Sequence, residues 1–290
     1  MANVKVKVGG IVLGIESRLE SLEELVPANY MPFLTDEPAA CIFDFKIDHI
    51  PGIDTWESLF DSHGVWRLYH TRDSWAFCFY TNLFGSEPFC VAILNKNLLR
   101  GEIIADQRYY AGKPIPFALD YPVGELLFAH LLGQAGGLIV HACAVKDGDR
   151  ALLLAGHSGA GKSTMARLWL KYSGLTVLSD DRVILRRDGQ KVLVYGTPWH
   201  GDAKIVSEEY GKLEGIFILK HEQQNRAQRL RPVELSSRLF ALSFPTFWDR
   251  AGLERSVELL GEISEGIPGW ELGFVPDRSA IEYMEPFFQA

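Results

Sequence analysis

The stretch Ala151-Leu-Leu-Leu-Ala155-Gly156-His-Ser-Gly-Ala-Gly-Lys162-Ser163-Thr164 decides how this chain is read. Its second part satisfies G-x-x-x-x-G-K-S/T at every fixed position. Its first part is an apolar run too short for a helix and bounded by Asp147-Gly148, which reads as a buried strand. Beyond the loop, Met165, Leu168, Trp169 and Tyr172 recur at three- and four-residue steps, one face of a helix expected to end at a left-handed Gly174. Strand, glycine-rich loop and helix therefore follow in the order of a phosphate-binding loop. Gly156, Gly159 and Gly161 permit the tight turn that brings N–H groups to phosphate oxygens, at a helix N-terminus whose dipole also favours anions. In such a loop Lys162 reaches the β- and γ-phosphates and the Ser163 hydroxyl sits on Mg²⁺, with Ser158, Ala160 and Thr164 completing the nucleotide-binding set. The alternative, a chance glycine-rich turn, does not account for both flanks.

Thr176-Val-Leu-Ser-Asp180-Asp181 follows the helix as a short strand that delivers two adjacent carboxylates to its C-terminal end, the edge where open α/β sheets bind ligands. Consecutive strand residues point to opposite faces, so Asp180 and Asp181 are expected to do different jobs. Taken alone, Asp-Asp-Arg182 also reads as a solvated turn. Its place one helix and one strand after the loop is that of the Mg²⁺-holding acid in phosphoryl-transfer sites. Upstream, Gly137-Leu-Ile-Val-His141-Ala-Cys-Ala-Val145 reads as a strand that hairpins through Asp147-Gly148 into the strand before the loop. His141 is either a hydrogen-bonded core residue or part of the site.

These residues together resemble the catalytic domain of the HPr kinase/phosphorylase family: His141 on a strand, hairpin, G-x-S-G-x-G-K-S loop, helix, then Leu-Ser-Asp180-Asp181. More closely the chain is similar to the shorter HPr-kinase-related proteins, lasso-peptide kinases among them, which carry a Gly-Thr-Pro-Trp segment as in Gly196-Thr-Pro-Trp199. The resemblance covers residues 137–220. It implies an α/β, phosphoenolpyruvate-carboxykinase-like mixed-sheet fold and ATP- and Mg²⁺-dependent transfer of the γ-phosphate to a serine of a protein or peptide. It also implies roles: Asp180 as the proton-accepting base, His141 orienting it, Lys162 and the loop holding phosphates, Ser163 and Asp181 on the metal side. HPr kinases are hexamers, which implies a homo-oligomer.

Departures from the family pattern bear on the substrate. HPr kinases place glutamate and then Ile-Arg-Gly downstream of the aspartates, where this chain has Gly196-Thr-Pro-Trp-His200-Gly-Asp202-Ala-Lys204, and Thr164 stands where they usually have glutamate. HPr itself and the reverse phosphorylase reaction are therefore not expected. The second metal ligand is open among Asp202, Glu208 and Glu209. Trp199, His200, Asp202 and Lys204 read either as a recognition cluster or as a loop closed by a packed tryptophan. Asn225-Arg226, Arg229 and Arg231 read as a solvated basic loop or a contact for phosphate or an acidic peptide.

At 290 residues with 47% hydrophobic content, the chain can bury one large core or two moderate ones. A formal net charge of −8 excludes a nucleic-acid footprint, which needs clustered Lys and Arg. Cys41, Cys78, Cys90 and Cys143 lie far apart in apolar runs, which reads as buried free thiols in a reducing, cytoplasmic setting. No apolar run approaches membrane-spanning length, so no membrane partner is expected. Residues 1–118 are expected to form a β-rich α+β domain, a curled antiparallel sheet with Arg18–Leu25 its clearest helix, and residues 119–290 the catalytic domain. A helix from Asp120-Tyr-Pro122 should bridge the halves. Helices over Val233–Leu242 and Thr246–Ser264 and a strand at Trp270–Val275 complete the expectation. A small-molecule kinase and a nucleotide-dependent regulatory binding module use the same core and remain the alternatives.

Overall fold

A computed structural model of the chain describes residues 2–71 and 73–288, a mixed α/β protein with two large mixed sheets. Contacts divide it into Met1–Leu131 and Leu132–Ala290. That division falls inside the helix expected to join the halves, which the sequence reading counted with residues 119–290.

The first unit holds β1 (Ala2–Val8), β2 (Ile11–Ser17), β3 (Cys41–Asp48), β4 (Glu57–Asp61), β5 (Trp66–His70), β6 (Ser74–Tyr80), β7 (Pro88–Asn95) and β8 (Arg100–Asp106). They form one sheet in the order β1-β2-β3-β8-β7-β6-β5-β4. The sheet is mixed and not antiparallel throughout, because β2–β3 and β3–β8 pair in parallel. Alternation of apolar residues marks a strand but carries no direction, and the long stretches of chain between β2 and β3 and between β3 and β8 allow the parallel pairings. Dense aromatics fill the interior: Phe43, Phe77 and Phe79 are fully buried. Arg18–Leu25 is no α-helix; a single 3₁₀ turn, Leu22–Leu25, suffices to bury Leu22.

The helix α1 (Val123–Gln134) runs through the division at Leu131/Leu132. The second unit follows with β9 (Gly137–Asp147), β10 (Arg150–Ala155), α2 (Lys162–Tyr172), β11 (Thr176–Ser179), β12 (Arg182–Asp188), β13 (Lys191–Tyr195) and β14 (Tyr210–His221). It ends with β15 (Arg226–Arg229), α3 (Pro232–Ala241), α4 (Arg250–Gly266), β16 (Gly269–Phe274) and α5 (Arg278–Met284). Sheet order is β10-β9-β12-β13-β14-β16-β15, and β10 also pairs in parallel with β14, so five strands close a circuit.

The run Ala151–Ala155 is buried on both faces, as an uninterrupted apolar strand requires. Leu152 and Leu154 pack with Met165 and Trp169 of α2, while Leu153 packs toward Leu235, Leu239, Leu260 and Ile263 of α3 and α4. The hairpin between β9 and β10 turns at Gly148, φ 57°, as its Asp-Gly signal requires. Two local expectations fail. Tyr172 is exposed, and α2 ends without a left-handed glycine: Ser173 leaves in extended conformation and its hydroxyl donates to the Trp169 carbonyl at 2.7 Å. A serine hydroxyl thus satisfies one of the carbonyls that a glycine cap would have served. No helix among the described residues is long and apolar enough to cross a membrane.

Candidate functional site

The loop between β10 and α2 owes its path to two glycines in the left-handed region, Gly159 (φ 83°) and Gly161 (φ 99°). At Gly161 the path is doubly restricted, because an added Cβ would lie 2.6 Å from Phe274 Cζ. The Ala160 N–H donates back to the His157 carbonyl at 3.0 Å and tightens the turn. α2 then starts at Lys162, and the first N–H groups of a helix have no acceptor within it, which leaves positive potential at the loop.

Lys162 is only 6% exposed. Its ammonium donates to the carbonyls of Gly156 at 2.8 Å and His157 at 3.1 Å. Burial lowers its pKa to about 8, and the nearby positive charge of Arg182 adds to the effect, while Cys143 and Asp180 act the other way. A cation held in this way is poised to exchange two weak carbonyl partners for an anion.

Asp180 and Asp181 lie where β11 gives way to β12. Both strands run antiparallel along β9, β11 opposite Ala144–Lys146 and β12 opposite Gly137–His141, so the pair interrupts one extended course beside β9. The Ser179 hydroxyl accepts from the N–H groups of Asp181 and Arg182, both at 3.3 Å, and shapes the break. The two carboxylates sit in the bend between the strands and have different surroundings. Asp180 has no exposed surface; it accepts the N–H groups of Gly201 at 3.0 Å, Ala203 at 2.8 Å and Ile205 at 3.4 Å. His141 pairs with Asp181. Its Nε2 lies 3.0 Å from Asp181 Oδ1, and the Arg182 guanidinium bonds Asp181 Oδ2. The register explains this, since His141 and Arg182 are direct partners across β9 and β12. Arg182 is itself held 5.1 Å over the Phe244 ring.

A cleft of about 370 Å³ gathers these groups. The loop contributes Ser158, Gly159, Gly161, Lys162, Ser163 and Thr164; β9 and the β11–β12 junction contribute His141 and Asp181. Gly201, Asp202 and Arg167 complete the lining. Gly156 and Ala160 shape the loop from behind, Gly156 through the carbonyl that accepts from Lys162. Asp180 is outside the lining. Of the acids open for a second metal ligand, Asp202 lies in the cleft; Glu209 pairs with Lys146, and Glu208 is exposed and is not among the lining residues. Among the described residues no three His, Cys, Asp or Glu side chains gather as a metal site.

Trp199 is buried, closing its loop, with Thr197 bonding the Arg182 carbonyl at 2.6 Å. The basic run forms β15 at the sheet edge, with Arg229 stacked on Trp270 and Arg231 paired to Glu234. All four cysteines are buried thiols, and burial pushes Cys41 and Cys78 up to about 12 and Cys90 and Cys143 upward as well. A larger cavity, about 670 Å³, lies in the first unit beside Glu16, Asp44 and the Lys46–Glu102 ion pair, and holds none of these groups.

The sequence reading missed Arg167 and His221. Arg167 was findable, because it follows Ser163 by four residues and shares its helix face. His221, at the end of β14, has no sequence signal; its Nε2 lies 2.5 Å from the Gly159 carbonyl. Comparison with protein-family models and with curated proteins gives no match.

Proposed function

We propose that this chain is an ATP- and Mg²⁺-dependent kinase that transfers the γ-phosphate to a serine hydroxyl of a protein or peptide, on a phosphoenolpyruvate-carboxykinase-like core related to HPr kinases. One observation carries the reading: Lys162, Ser163, His141 and Asp181, drawn from three separate segments, line a single cleft at a helix N-terminus.

The donor set suits Mg²⁺, a hard cation that takes one or two carboxylates and completes its shell with water and phosphate oxygens. Ser163 and Asp202 would supply such oxygens from one cleft, which leaves Asp181 for the acceptor hydroxyl. Bound there, the ion would offset charge on the β- and γ-phosphates. The chain's own residues do the rest. N–H groups of the loop and of the first turn of α2 bind the polyphosphate, and Lys162 trades the Gly156 and His157 carbonyls for phosphate oxygens. The serine oxygen attacks the γ-phosphorus in line, the bond to the β-bridging oxygen breaks, and ADP leaves with that electron pair. Asp181 orients the hydroxyl and receives its proton, in place of the Asp180 that the resemblance nominates. His141 and Arg182 keep Asp181 aligned, which matters most where positioning outweighs proton abstraction in a loose transition state.

The same double pairing of Asp181 favours a second reading, a nucleotide-dependent binding module without turnover. Calorimetry with ATP and Mg²⁺, and ADP release with and without a pool of serine peptides, separate the two for the parent and Lys162→Ala. Peptide-stimulated ADP release with binding lost in Lys162→Ala supports the kinase. Binding without turnover supports the module, and absence of binding refutes both.

A further inference from the structure

The glycine-rich loop is held from behind as well as from within. β14 and β16 run parallel and place His221 opposite Phe274 at their C-terminal ends. Both residues meet the loop. The Phe274 ring fills the space where a Cβ on Gly161 would lie, and His221 Nε2 approaches the Gly159 carbonyl at 2.5 Å. Neither side chain lines the cleft. The Gly159–Ala160 peptide unit is thereby bonded at both ends, its carbonyl by His221 and its N–H by the His157 carbonyl. Gly159 needs this more than most residues, because glycine in the left-handed region crosses readily to other conformations and an unbraced loop would spend its time among them.

We infer that His221 is a positioning residue that clamps the Gly159–Ala160 peptide and so keeps the loop in its anion-binding shape before ligand arrives. The inference rests on the reading of this loop as a phosphate site. A preformed loop saves the ordering cost that binding would otherwise meet, so the clamp acts on nucleotide affinity. It leaves the transfer step alone, since His221 touches no reacting atom.

Calorimetry with MgATP on the parent, His221→Ala, His221→Leu and His221→Gln tests this, alongside thermal unfolding of each. His221 is exposed at a strand end, so all variants should melt with the parent. Loss of one hydrogen bond predicts a Kd raised about fivefold in the Ala and Leu variants, and restored to within about twofold by Gln, whose amide also donates. In turnover, KM for ATP should rise with kcat unchanged. Equal affinity in the parent and His221→Ala overturns the clamp while leaving the phosphate site intact. A parent that does not bind MgATP overturns the phosphate reading and the clamp with it.

Discussion

Replacing Asp180 by asparagine exchanges one carboxylate oxygen for an NH₂ group and separates the two roles that an Asp-Asp pair can play. In the structure Oδ1 accepts from Gly201 and Ile205, and Oδ2 accepts from Ala203 at 2.8 Å, with no solvent contact. Asparagine retains one acceptor oxygen and turns a donor toward the other N–H. At least one charge-assisted bond is lost, about 1.5–3 kcal/mol, and a buried donor is left facing a donor, about 1–3 kcal/mol more where the loop cannot relax. Part of that is recovered by water reaching the half-buried loop, so a net loss of about 2–4 kcal/mol is expected. Asp181→Asn removes the charge that pairs with His141 and Arg182, all only about a fifth exposed, and should abolish transfer without opening the 200–206 loop. Urea unfolding of both variants, with hydrogen exchange of residues 200–206 by mass spectrometry, measures this. Asp180→Asn should unfold at lower urea with faster exchange in the loop. If it instead unfolds with the parent, exchanges normally and loses only turnover, the structural role is wrong and Asp180 is the base after all.

Further outcomes follow from the loop, its lysine and the thiols. Because burial holds Lys162 near pH 8, below its ordinary 10.5, the folded chain gives up this proton first; the unfolded chain binds more protons between about pH 8 and 10.5, so this group's contribution to stability rises with pH across that window. Phosphate needs the charged form, so MgATP affinity should fall above about pH 8 with proton uptake on binding, seen by calorimetry in buffers of different ionisation enthalpy; affinity flat to pH 9.5 would contradict it. Gly161→Ala forces a side chain into a left-handed backbone against Phe274, and should cost about 2–4 kcal/mol and remove MgATP binding, with parental melting and binding the contrary result. The cysteines, buried with raised pKa, should resist a thiol-directed disulfide reagent at pH 8 in the native protein and react fully in denaturant; fast native labelling would show that at least one is accessible.

The legible parts of this molecule were the local ones. Ala151–Ala155 announced a strand buried on both faces by its unbroken apolar run, and Asp147-Gly148 announced the hairpin by its left-handed glycine. Strands β2, β4, β8, β12 and β15 and the helix α5 were not foreseen. β12 carries Arg182, Arg186 and Arg187 around a short apolar core, and β15 is mostly polar, so neither alternates clearly. The exit from α2 was misjudged because Ser173 caps through its hydroxyl where Gly174 was expected to cap through its backbone.

By itself the sequence determined that a strand, a glycine-rich turn and a helix would place Lys162 and Ser163 at a helix N-terminus, since backbone freedom at glycine and apolar spacing act over a few residues. It also placed Asp180 and Asp181 side by side just beyond β11. Only the tertiary structure decided which of them joins His141. That choice depends on the register that sets His141 opposite Arg182, and on a loop, 201–205, returning from beyond β13 to bring its N–H groups to Asp180. Register in a sheet is a long-range property, and a shift of one residue exchanges the two faces, so adjacent aspartates cannot be told apart until the neighbouring strand is in place.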